Sequence, residues 1–375
     1  MKWIITSGLV LAAGIGLYQF LPGDADDRRL VRAIGTYECP PAPDAPSFGT
    51  AYEGPLIDTH MHIPHPPEGP EIVDAMPFSG SSPELGRSIT VSNYICNFKT
   101  EGIIKAFIFF PVYPGLEDLH LAVVNESMKK YAEFLVPFIM PPDRDDALDG
   151  YPTVSVSTLR EWLEVYPRLF KGFGEIGLYE RRNDNGEQVG SAELLPDSER
   201  LQKIYPVIRE YNLLVYFHLG EGQREAYERT LSLNPDINFV FHGDQLVKTD
   251  NQGNQDLSAI EEILYRHPNT YYGVDELWGD VWILHPDKSR EEFFAHFENN
   301  EELLEEDVKT WKGFIERHSD QALWGSDRGV ANLWTMDRDV GLTLTGYVRA
   351  FISRLDTSVQ EKFAYKNAEK LLLGR

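Results

Sequence analysis

Six side chains in this sequence have the chemistry of a divalent-metal site. His60 and His62 alternate at the end of an apolar run, "PLIDTHMH" (55–62). In an extended segment side chains i and i+2 share a face. The two imidazoles therefore point the same way, close enough to hold one ion. Glu175 stands in "GFGEIG", His218 in "LLVYFHLG", His242 in "INFVFHGD" and Asp327 in "WGSDRG", each at or near the end of a short apolar run. Imidazole nitrogens suit borderline ions such as Zn2+, and carboxylates complete the charge. Four histidines with one or two carboxylates fit one or two divalent ions.

A bound ion of this kind lowers the pKa of its water from about 15.7 to about 7, which supplies a hydroxide nucleophile at neutral pH. A carboxylate beside it can take the proton, the role expected of Asp327. His242 is expected to be a ligand of a second ion, or the group that polarises a substrate carbonyl or stabilises its oxyanion. Arg328 directly follows Asp327 and is a candidate to bind a substrate carboxylate. Asp275 and Glu276 close a later run and are placed to orient ligands by hydrogen bonds. His65, in the segment after His62, is a candidate substrate contact or a loop residue. His120, His267, His285, His296 and His318 fall in helix-like or loop stretches and are assigned no role. Trp278, Trp282 and Trp334 belong to segments that could line a pocket, with aromatic packing as the default.

Such scattered groups need a frame that gathers strand ends. Eight short apolar runs rich in β-branched and aromatic residues recur along the chain: 55–62, 105–112, 133–141, 171–178, 213–220, 237–244, 270–277 and 321–328. Between them lie helix-like stretches such as "VSTLREWLEVYPRLF", "DSERLQKIYPVIREYN", "QREAYERTLSLNP" and "LSAIEEILYRHP", several with apolar residues at i, i+3, i+4. Strands alternating with helices imply a parallel sheet, and eight βα units predict a (β/α)8 barrel, whose strand ends all meet at one face. No GxGxxG follows the first strand, which argues against a dinucleotide fold. Two insertions, 63–104 and 278–311, leave from that same face as long rim loops. Gly174 and Gly177 flank Glu175, and glycine within a strand marks close backbone approach.

These stretches resemble the amidohydrolase superfamily, and within it the amidohydrolase-2 group, over roughly residues 55–375. The resemblance rests on "DTHMH", the histidines of "YFHLG" and "FVFHGD", "GSDRG", and the closing "KNAEKLLLGR". It implies His60, His62, His218 and Asp327 as metal ligands. His242 matches a strand-six histidine that is a ligand in two-metal members and catalytic in one-metal members. "GEIGL" looks like the strand-four glutamate that bridges two ions in TatD-like hydrolases and related lactonases. Many amidohydrolase-2 members lack that glutamate and bind one ion, so the number of ions stays open between one and two. The implied activity is metal-dependent hydrolysis of a small amide, lactone or ester. The alternative is metal-dependent decarboxylation of a small carboxylic acid. A third reading, a non-catalytic binding barrel, is opposed by the intact ligand set.

Composition narrows partners and location. The 375 residues are 42% hydrophobic, enough for a full core, and carry a formal charge of -24. Such a surface repels phosphate backbones, so nucleic acid is not an expected partner. The two cysteines, Cys39 and Cys96, form no CxxC pair, which excludes a cysteine zinc site. They form one disulfide in an oxidising compartment or remain two thiols. Residues 3–21 contain no charged side chain, and at about 1.5 Å per residue such a helix just spans a hydrocarbon core of about 30 Å. Residues 1–30 thus read as a transmembrane anchor, with a secretory signal after the single Lys2 as the competitor. No small-x-small cleavage site precedes "GDADDRR", which favours the anchor. Arg28, Arg29 and Arg32 after the span favour retention of the C-terminal side inside. The short basic start and apolar core favour export instead, and an extracytoplasmic domain, tethered, secreted or periplasmic, is the expectation. Residues 31–54, rich in Pro, Gly and Ala, read as a linker, and 55–375 as the catalytic domain.

Overall fold

The computed structural model describes residues 25–44, 46–63, 82–86, 89–112, 115–141, 150–180, 192–243, 246–249, 255–275, 277–278, 281–284, 288–329 and 332–373. Eight parallel strands pair in chain order: β1 (Leu56–His62), β2 (Ile103–Pro111), β3 (Leu135–Met140), β4 (Gly172–Gly177), β5 (Leu214–His218), β6 (Phe239–His242), β7 (Thr270–Val274) and β8 (Ala322–Trp324). Past the end of β8 the chain returns to β1. Met61 and Arg328 form a parallel bridge, Asp327 N donates to His60 O at 2.9 Å, and His62 N donates to Arg328 O at 2.8 Å. The sheet thus closes into the (β/α)8 barrel that the alternation predicts. All eight expected strands are present, with ends shifted by a few residues.

Alternation along each strand sorts the core into two layers. Phe107, Phe138, Leu214 and Val240 fill the barrel, while their neighbours Ile108, Ile139, Val215 and Phe241 pack outward against the helical layer. Two strands depart from strict alternation, and both carry site residues. A register shift between Asp58 and Met61 lets Ile57 join the barrel interior while His60 and His62 meet the inward-facing site groups. A second lies between Phe173 and Ile176, around Glu175. At Gly174, φ is +130°, and an added Cβ would fall 2.4 Å from Tyr216 O, so only glycine fits this close approach.

The helices expected at 156–170, 197–212, 223–235 and 257–268 form as Val156–Val165, Glu199–Glu210, Arg224–Leu233 and Ser258–Arg266. The first insertion also holds a helix that periodicity does not announce, Val91–Glu101. It is buried on nearly every side and so lacks a polar stripe. The closing segment forms the helix Asn367–Leu373, and Asn367 Nδ2 donates to Ser319 O and Ala322 O, both at 2.8 Å, tying it to the start of β8.

The stretch read as a linker packs against the barrel. After the helix Ala25–Ile34, the chain runs down the groove between Val91–Glu101 and the helix Arg338–Ile352. Phe48 and Tyr52 are buried, Arg338 donates to Pro40 O and Pro41 O, and Arg349 donates to Tyr52 O and Gly54 O. Cys39 and Cys96 are joined in a disulfide. Proline and glycine weaken helix and sheet, but they do not stop the aromatic residues between them from docking. The expected anchor at 3–21 lies outside the described residues; among the described residues no helix is long and apolar enough to cross a membrane.

The disulfide closes a separation of 57 residues, which by chain entropy stabilises the fold by about 4 kcal/mol. The Cys39→Ser/Cys96→Ser protein should unfold several degrees below the parent, and reductant should lower only the parent's unfolding temperature. Equal temperatures would mean that the strap adds no stability.

Candidate metal centre

All six sequence-predicted metal groups converge at the C-terminal mouth of the barrel. His60 Nε2 and His62 Nε2 stand 3.1 Å apart. Asp327 Oδ1 lies 3.1 Å from the first and 3.3 Å from the second. Glu175 Oε2 lies 3.7 Å from His60 Nε2 and 3.2 Å from His62 Nε2. Donors about 2.0–2.1 Å from a tetrahedral ion are about 3.4 Å from one another. His60, His62 and Asp327 thus bring three donors within reach of one ion, and His60, Glu175 and His242 form a second such group. The other oxygen of Glu175, Oε1, faces His218 Nδ1 at 3.0 Å and His242 Nε2 at 2.6 Å. One glutamate thus offers an oxygen to each of two histidine pairs.

Strand geometry explains the convergence. His218 and His242 are register partners on β5 and β6. Asp327 takes a left-handed backbone, φ +47°, in the turn after β8. Aspartate tolerates that conformation better than most side chains. Gly325 lets this turn lie against β1, for a Cβ there would fall 2.6 Å from that of His60.

The donor set fits a divalent ion. Asp327 Oδ1 is buried among the imidazoles without a hydrogen bond among the described residues, a state a buried carboxylate oxygen does not adopt without compensation. Burial works against charge on the imidazoles, yet the facing carboxylates outweigh it. His60 is pushed up to about 9, with Asp327 the main cause, and His62 and His242 are also raised. Glu175 is held well below the usual carboxylate range, because the facing imidazoles, His242 first, overcome its burial.

Beneath the cage lies a layer of hydrogen bonds, in which Asp275 takes the orienting place expected of it and Asp58 a place that the sequence did not single out. Asp58, fully buried, accepts from His60 N and Ser326 N, both at 3.0 Å, and from Ser326 Oγ at 2.6 Å. It fastens the start of "DTHMH" to "GSD". Asp275 Oδ2 meets His60 Nδ1 at 3.0 Å and His242 Nδ1 at 2.6 Å.

Arg328 does not face substrate. Its guanidinium is fully buried and donates to both oxygens of Glu101, at 3.0 and 2.5 Å. Its neighbour Asp327 faces the mouth, and alternation sends Arg328 the other way, toward the helix Val91–Glu101. Glu101 was not foreseen, and only an acid at the end of an apolar helix hinted at it. Neither His242 nitrogen faces the open rim, since one meets Glu175 and the other Asp275. Trp278 and Trp334 are buried. His65, Glu276, His285 and the Trp282 side chain lie outside the described residues.

Comparison with known proteins identifies the family. A family model described as amidohydrolase matches residues 112–373, more than half of the chain. No curated protein is matched. An amidohydrolase from Burkholderia multivorans with bound zinc is similar in structure, with 12% identity, 85% of this chain and 99% of that chain covered, and a TM-score of 0.50. An uncharacterised TIM-barrel protein from Bordetella bronchiseptica gives 16% identity, 86% and 100% coverage and 0.49. A 2,6-dihydroxybenzoate decarboxylase gives 11%, 84% and 97%, and 0.44.

Two outcomes follow from the cage and its underlayer. Zinc must displace protons from the histidines, so affinity should rise with pH up to about 9, where His60 loses its proton unaided, and level off above. Calorimetric titrations near pH 7.5 in buffers of different ionisation enthalpy should then give different heats; equal heats would rule out protonated ligands. Breaking the buried pair by Arg328→Met or Glu101→Gln should cost about 3–5 kcal/mol in denaturant unfolding, and the apolar double variant Glu101→Leu/Arg328→Met should regain most of it.

Proposed function

The chain belongs to the amidohydrolase family, and on that premise we propose that it is a metal-dependent hydrolase of a small amide, lactone or ester. The observation that carries this reading is Glu175. It turns Oε2 to His60 and His62 and Oε1 to His218 and His242. A carboxylate so shared is suited to bridge two ions, with His60, His62 and Asp327 completing one set and His218 and His242 the other. Zinc is the favoured ion, because imidazole donors completed by carboxylates suit it.

When bound, such ions acidify water and polarise a carbonyl. The chain's own residues then supply positioning and proton transfer. His60 is fully buried, whereas the Asp327 side chain is 40% exposed, the most open of the set. Asp327 takes the proton from the attacking water and returns it to the leaving oxygen or nitrogen as the carbonyl bond to it breaks. His242, enclosed between Glu175 and Asp275, acts as a ligand.

The proposal includes location. An anchor over residues 3–21, with the domain outside the cytoplasm, agrees with the Cys39–Cys96 disulfide, because such bonds persist in oxidising compartments. The partner is a small molecule; a charge of -24 disfavours nucleic acid.

Elemental analysis of the purified full chain should find about two ions, falling to about one in Glu175→Ala. Asp327→Asn should lower kcat on the best ester, lactone or amide by about 10²–10⁴-fold. One ion, unchanged in Glu175→Ala, would overturn the two-ion hydrolase and turn the substrate search to carboxylic acids and decarboxylation.

A further inference from the structure

We propose that Asp275 is a positioning residue that sets the tautomer of two cage histidines at once. This rests on the metal centre described above. Asp275 follows β7, and its Oδ2 is shared by His60 Nδ1 at 3.0 Å and His242 Nδ1 at 2.6 Å. The two rings cross edge to face, with centroids 4.3 Å apart. A neutral imidazole has one N–H and one lone pair, and an ionised carboxylate oxygen only accepts. In the neutral form that binds metal, both Nδ1 atoms therefore carry the proton, and both Nε2 atoms keep their lone pairs. Those are the nitrogens that face the cage, His60 Nε2 toward His62 and Asp327, and His242 Nε2 toward Glu175.

The rest of the carboxylate has no other task. Asp275 Oδ1 is buried and has no hydrogen-bond partner among the described residues. A side chain kept there for the fold would bond to the fold; among the described residues Asp275 bonds to the two histidines alone. Trp278, three residues on, is tied at both backbone groups. Trp278 N donates to Asp307 Oδ2, which also accepts from Tyr347 Oη at 2.7 Å, and His296 Nε2 lies 2.7 Å from Trp278 O. His60 belongs to the set with His62 and Asp327, and His242 to the set with His218 and Glu175. A single oxygen thus orients one histidine of each set, and losing it weakens both.

The test uses the full chain and zinc. Competition with a chromophoric chelator should give Asp275→Asn a zinc affinity about 10–100-fold below the parent, with the metal-free unfolding temperature within a few degrees. Nitrogen-15 spectra of the zinc-loaded parent should show His60 and His242 protonated at Nδ1, and Asp275→Asn should mix the tautomers. Parent-like zinc affinity in the variant, or either histidine protonated at Nε2 in the parent, would overturn the proposal. If Asp275→Asn fails to fold, the parent's tautomers still decide it. A parent that takes up no divalent ion would sink the metal-centre reading instead, a different and recognisable failure.

Discussion

A guanidinium with no water around it must be paired, and the pairing of Arg328 with Glu101 fixes the seam on which the barrel and its site depend. Arg328 is the residue at which the chain beyond β8 rejoins β1, through the Met61 bridge. The same few residues that close the barrel also carry Asp327 against His60 and His62. The Asp58 carboxylate adds a second tie across the seam by holding Ser326. Burial pushes both Asp58 and Glu101 upward, against the hydrogen bonds from Ser326 and the charge of Arg328. The residues that close the barrel are therefore also those that hold the site, and a charge that looked available to substrate is spent inside.

Above the seam, charge balance governs. Four imidazoles and the carboxylates of Glu175, Asp275 and Asp327 share a small volume. Each carboxylate faces at least two rings. Like charges are separated by unlike ones, and without an ion the surplus is met by protons on histidine. That arrangement gathers two groups of three donors that could each hold an ion. Preorganisation of this kind is how a rigid barrel supports chemistry at loops and strand ends.

The N-terminal strap is built onto the same barrel. Residues 35–54 cover the groove between two helices, and the disulfide, the buried Phe48 and Tyr52 and the arginine bonds to backbone carbonyls hold them there. A covalent bond between strap and helix suits a domain exposed to oxidising surroundings.

The sequence by itself determined the alternation of eight strands with helices, and the six chemically capable side chains near strand ends. Both depend on local pattern: period-two burial, apolar runs, and residue types that bind metal. The facing of His60 and His62 was legible for the same reason. Tertiary structure decided what local pattern cannot carry. Arg328 and Asp327 are adjacent in sequence yet point to opposite sides of the barrel wall. Glu101 lies 227 positions from its partner, Cys96 lies 57 positions from Cys39, and Asp275 meets histidines from two other strands. Each of those pairings is set by where the closed sheet brings distant segments, and closure is a property of the whole barrel rather than of any stretch of it.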